Sequence, residues 1–286
     1  MKQLARWAMS SKSRAILAIA AGFAVPLMFW LGAALLALVV MRQSFRDAAP
    51  AVMWGSLPAI VWLAIGDPTP ALTAAGTLLA ALVLRHTIRL DLALMVNVAL
   101  GLIIYWALPL LLADVLPLVV SQSETVVSKA LEDSPATLDS LLPFVGPMIY
   151  GVLAALHSMV LSLCLLLGRY WQGALYNPGG FGTEFRQLRL PLAYSLPAML
   201  AVFGAGQLMP EWAGMVPVLT VAMMLAGLAV FHGLVKNTNA SSNWLVPVYL
   251  ALFVFGPYMY TLLIFVAAMD SLINIRSRLK DTASGE

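Results

Sequence analysis

Long apolar runs alternate with short polar knots along nearly the whole chain. The runs are Ala15 to Met41, Ala51 to Ile65, Ala71 to Leu84, Leu92 to Ala113, Pro143 to Leu167, Leu192 to Leu208, Met215 to Val235 and Leu245 to Met269. A helix needs about 20 apolar residues to cross a hydrocarbon core of roughly 30 Å. Runs near that length, repeated with short breaks, predict consecutive bilayer-spanning helices. The fold class expected is all-α: a polytopic transmembrane helical bundle, with residues 1–286 as a single integral membrane domain.

The distribution of charge refines the topology. If each of the eight runs crossed once, the 16 basic residues would divide eight and eight between the two sides, with no bias. Bending the first run near Gly22 and Pro26, and the last at Gly256 and Pro257, changes the count. Fifteen of the 16 then fall on one side and only Lys129 on the other. Lys and Arg mark the cytoplasmic side. The pattern therefore predicts a bacterial inner-membrane protein with both termini cytoplasmic, about six full spans, and broken or re-entrant hairpins at both ends. An arm from Ala15 to Val25 would reach only about 16 Å at 1.5 Å per residue, short of a full crossing. Each bend reads either as a proline kink or as a broken helix lining a central cavity.

Two polar segments stand out. The stretch of about 114–140 carries Glu124, Glu132, Asp133 and Asp139 with one lysine, and is expected on the periplasmic side. An amphipathic helix over Glu124 to Glu132 is anticipated there, either a lid or a solvated connector. The stretch of about 169–190 is expected to be the main cytoplasmic loop. It contains Arg169, Tyr170, Trp171 and Gln172, then Tyr176, Asn177, Pro178, Gly179, Gly180, Phe181 and Gly182. The aromatic and basic residues match the belt at a membrane interface. Asn-Pro-Gly-Gly predicts a tight turn, and Glu184 to Leu190 a short surface helix.

Composition narrows the chemistry. The chain is 62% hydrophobic and 10% charged, against about 25% charged in a soluble domain. Its basic residues are scattered in ones and twos, which points to the lipid bilayer as partner and away from nucleic acid. The basic N-terminal segment precedes an apolar stretch too long for a cleaved signal, so a retained anchor is expected. The lone Cys164 excludes an intrachain disulfide and reads as a packed apolar residue. No GxSxG, HExxH or P-loop occurs, and the three histidines lie on separate runs. A non-enzymatic protein without cofactor or metal site is the expectation. Polar residues inside the runs remain: Asn97 and His157 read either as ligand-binding groups or as interhelical packing. Asp270, Asn274 and Arg276 would share one face of the last helix. There Asp270 would either pair with a basic residue such as Arg85, Arg89 or Arg169 or cap the cytoplasmic exit in water.

Three strings together resemble a known family: Pro26 with the run ending at Met41-Arg42, the Arg169 to Gly182 segment, and Asp270 to Arg276. They are similar to the YybS-like family of bacterial membrane proteins, a domain of unknown function. More remotely the chain is similar to the S components of energy-coupling-factor transporters and to the rod-shape protein MreD. The first likeness implies a small-molecule-binding or transporter subunit with an unspecified ligand. The alternative is a membrane scaffold or assembly protein that recruits a membrane protein partner through the 169–190 segment. A membrane enzyme using scattered Asp, His and Arg is the third reading.

Overall fold

The computed structural model describes residues 2–238 and 240–277; Arg278 and Lys280 of the charge count lie outside them. Among the described residues the regular structure is entirely helical, with 14 α-helices and two 3₁₀ turns. The protein is thus a helical bundle of the membrane class. Five helices are long and apolar enough to cross a bilayer: Phe45–Ala64 taken together, Leu90–Leu111, Pro135–Tyr176, Pro210–Asn237 and Gly256–Ile273. The number rises to six if the broken pair Gly180–Gln187 and Leu192–Gln207 is one span. By contact the chain divides into two compact units, residues 1–100 with 157–188, and residues 101–156 with 189–286.

The first unit holds α1 (Lys2–Ala8), α2 (Lys12–Ala24), α3 (Phe29–Arg42), α4 (Phe45–Gly55), α5 (Leu57–Ala64) and α6 (Thr69–Thr87). It also takes the first half of α7 (Leu90–Leu111), the last part of α9 (Pro135–Tyr176), and α10 (Gly180–Gln187). Its centre is α3, where every residue from Gly32 to Met41 is buried. The sequence explains this, because a helix apolar on all sides has no face suited to water and is packed around completely. The first apolar run is indeed a hairpin: α2 and α3 are joined by Val25 to Met28, and Leu27 takes the left-handed conformation at φ 61°. Gly22 makes the close approach possible, since a Cβ there would lie 2.5 Å from the Gly32 nitrogen. The carbonyl of Phe23, freed where α2 ends, accepts a 2.9 Å hydrogen bond from Trp62 Nε1. A break inside a membrane bundle requires that kind of partner.

The second unit takes the rest of α7 and α9, with α8 (Leu116–Ala130), α11 (Leu192–Gly204), α12 (Pro210–Asn237), α13 (Leu245–Val254) and α14 (Gly256–Ile273). Small residues let its helices touch. A Cβ on Gly151 would collide with the Gly214 carbonyl, and one on Gly227 with the Leu263 carbonyl. Polar bonds then fix the pairings. Tyr105 donates to the Glu211 carbonyl at 2.8 Å, Tyr194 to the Leu219 carbonyl at 2.5 Å, and Thr220 and Tyr260 share a 2.6 Å bond. Close backbone contact and interhelical hydrogen bonds replace the hydrophobic drive that lipid removes.

Three boundaries differ from the sequence expectation. The helix anticipated over Glu124 to Glu132 starts at Leu116 and stops at Ala130, because Pro117 suits a first turn. The last apolar run breaks at Phe255, and α14 beyond it is already 18 residues, so that run is a short arm plus a full-length helix. The segment 169–190 is mostly not a loop: α9 continues through Arg169 to Tyr176, and only Asn177 to Gly179 turn. The short helix expected at Glu184 to Leu190 is displaced to Gly180–Gln187, and the chain is extended from Leu188 to Leu190.

Candidate functional site

The most distinctive string of the sequence builds one end of the first unit. Gly179 adopts φ 85°, which glycine tolerates, and caps α10 so that it folds back on α9. Phe181 packs over Gly173, meets Tyr170 edge-on at 5.8 Å and stacks with Phe185 at 5.9 Å. Arg169 Nε donates to Glu184 Oε2 at 2.7 Å, and both side chains are more than four-fifths buried. Trp171, expected in the interfacial belt, is fully buried; Tyr170 and Tyr176 are the exposed aromatics. The reason is helical phase, since neighbouring residues lie about 100° apart on a 3.6-residue turn and cannot all face lipid.

The same residues meet the last turn of α3. A helix end leaves carbonyls without intrahelical partners. Arg85 Nη1 donates to the Val40 carbonyl at 2.9 Å and to the Gln43 carbonyl at 2.6 Å, and Gln172 Nε2 reaches the Met41 carbonyl at 3.5 Å. Gln172 Oε1 in turn accepts from Arg169 Nη1. Arg42 lies over the Tyr176 ring at 4.5 Å, a cation–π contact. Between these groups opens a pocket of about 250 Å³ lined by Met41, Leu84, Arg85, Ile88, Arg169 and Gln172. The Nε and Nη2 hydrogens of Arg85, and the Nη2 hydrogens of Arg169, have no partner among the described residues. A guanidinium carries five donors, so each arginine spends part of its fork on the fold and keeps part available.

Asn97 and His157, the ligand candidates inside the apolar runs, fall elsewhere in this unit. Asn97 is fully buried and donates to Ser162 Oγ at 3.2 Å, while Ser158 Oγ donates to the Asn97 carbonyl at 3.0 Å. These bonds join α7 to α9, which is the interhelical reading. His157 precedes Ser158 in the chain, and its Nε2 is buried without a partner among the described residues.

The second unit has its own polar end. Asp270 pairs with neither Arg85, Arg89 nor Arg169, and it is not open to water: its carboxylate takes a 2.6 Å ion pair from Arg276 Nη2. The side chains are 2% and 10% exposed. Asp270, Asn274 and Arg276 do not share a helix face, because α14 ends at Ile273 and Asn274 turns left-handed at φ 49°. That reversal folds Arg276 back onto Asp270. Arg189 seals the same helix end through the Asp270 and Ser271 carbonyls at 2.9 and 2.8 Å. Every donor and acceptor named here closes the fold, so this cluster is structural.

The site therefore rests on α3, α6 and α9 of the first unit. Arg85 was weighed in the sequence only as a charge and a possible ion-pair partner, and nothing local distinguishes it; its importance comes from packing beside carbonyls more than 40 residues away. Comparison with family models, curated proteins and solved structures gives no match.

Proposed function

We propose that this chain is a non-enzymatic small-molecule-binding protein of the bacterial inner membrane, with both termini cytoplasmic, acting as a transporter subunit of S-component type. The observation that carries the reading is the pocket at the end of α3, lined by two arginines whose forks the fold uses only in part. Its polar lining suits holding a ligand. The guanidinium and amide donors of Arg85, Arg169 and Gln172 can orient and neutralise a bound group. A scaffold that recruits a partner through residues 169–190 is the weaker reading, because Phe181 and Glu184 are engaged with α9 of the same chain.

The test is native mass spectrometry of protein purified from cells grown in rich medium. A reproducible non-lipid or lipid-derived adduct, lost when Leu84→Trp fills the pocket, is expected. Protein that carries no adduct, and whose Leu84→Trp variant complements a deletion fully, would remove the reading.

A further inference from the structure

The charge of the pocket narrows what it can take. Arg85 and Arg169 bring two positive charges, Arg42 stands beside the lining residue Met41, and Glu184, tied to Arg169, returns one negative charge. Positive charge is in excess there. The two arginines lie on different helices, α6 and α9, and line one pocket, so a bound group able to accept from both forks would bridge them. Carboxylates and phosphates accept such planar donors in pairs. The remaining walls, Met41, Leu84 and Ile88, are apolar and have no use for a hydrated ion.

We infer that the pocket binds an oxyanion, a phosphodiester or a carboxylate, that carries an apolar chain. The inference rests on the binding reading above and adds the ligand class. Arg85 and Arg169 grip the oxyanion, Gln172 holds Arg169 in place, and the chain lies along Leu84 and Ile88. Two sources supply this chemistry: the headgroup of an anionic phospholipid, or a free amphiphilic acid.

Isothermal titration of the full chain in a neutral maltoside detergent tests it with three probes: dihexanoyl-phosphatidylglycerol, hexanoate, and the uncharged isostere hexanamide. Preference for the first marks a headgroup source, preference for hexanoate a free acid, and either supports the class. Losing charge-assisted hydrogen bonds should weaken the anions roughly tenfold or more in Arg85→Gln. Because Arg85 also caps α3, Glu184→Gln is the second variant: it removes the compensating charge and should tighten anion binding several-fold. Hexanamide binding as well as hexanoate, or anion affinity unchanged in Glu184→Gln, overturns the ligand class. Should a neutral compound remain on the purified protein and disappear in Leu84→Trp, the class falls and the binding reading stands. Failure of all probes together with an empty protein removes both.

Discussion

Removing the Asp270 carboxylate tests how the second unit closes its polar end. The pair is two-pronged, with Arg276 Nη2 at 2.6 Å from Oδ2 and Nε at 3.4 Å from Oδ1, and neither side chain is more than a tenth exposed. At an effective dielectric of 20, unit charges about 4 Å apart attract by about 4 kcal/mol. The larger effect in Asp270→Ala is the buried guanidinium that loses this carboxylate, beside a second cation at Arg189 that bonds the same residue's carbonyl. Breaking a buried pair on one side costs about 3–5 kcal/mol, whereas replacing both partners by apolar residues is often close to neutral. Asp270→Ala is therefore expected to lose about 3 kcal/mol, and Asp270→Leu with Arg276→Met about 1 kcal/mol or less. The assay is unfolding of the purified protein from mixed micelles by dodecyl sulfate, followed by far-ultraviolet circular dichroism. Single and double variants that lose stability additively would refute the reasoning, as would a single-variant loss below about 1 kcal/mol, the range of exposed ion pairs.

Other perturbations probe the first unit and the topology. Gly22→Leu overpacks the α2–α3 contact, where even a Cβ falls 2.5 Å from the Gly32 nitrogen, and should cost about 1–3 kcal/mol in the same unfolding assay. Gly204→Ala, which meets nothing within 4 Å, should stay within about 0.5 kcal/mol of the parent. Trp62→Phe strips the donor from the Phe23 carbonyl and should cost about 1–3 kcal/mol, seen also as faster exchange of the amides at the end of α2. In a Cys164→Ala background, single cysteines at Ser44, Ser128 and Thr183 report sidedness to a membrane-impermeant thiol reagent. Ser128 alone should label in whole cells; labelling at Ser44 or Thr183 from outside would overturn the proposed orientation.

What the sequence made legible was local. Gly22 and Pro26 announce a reversal because glycine permits a close approach and proline withdraws a donor, and the chain reverses there. The end of α9 was misplaced because hydropathy falls at Arg169, yet a helix stops where its capping chemistry is, at Asn177 to Gly179. The charge pair of Asp270 is with a basic residue, as one reading had it, but Arg276 was not among the examples for a related reason. Six residues along a straight helix lie on a different face, and only the left-handed Asn274 brings Arg276 back.

The arginines show the boundary most clearly. In the sequence they serve as labels of sidedness and are interchangeable. In the fold they close helix ends, Arg85 on the Val40 and Gln43 carbonyls and Arg189 on those of Asp270 and Ser271. Such contacts join residues 42 to 82 positions apart, and no periodicity encodes them. The use of each fork then separates structure from function. Arg189 has both of its bonded nitrogens on carbonyls of one helix end, while Arg85 and Arg169 line one pocket beside apolar walls. A carboxylate already answers Arg169, through Glu184, while Arg85 bonds only carbonyls among the described residues, so an anion bound at the end of α3 would answer chiefly to Arg85.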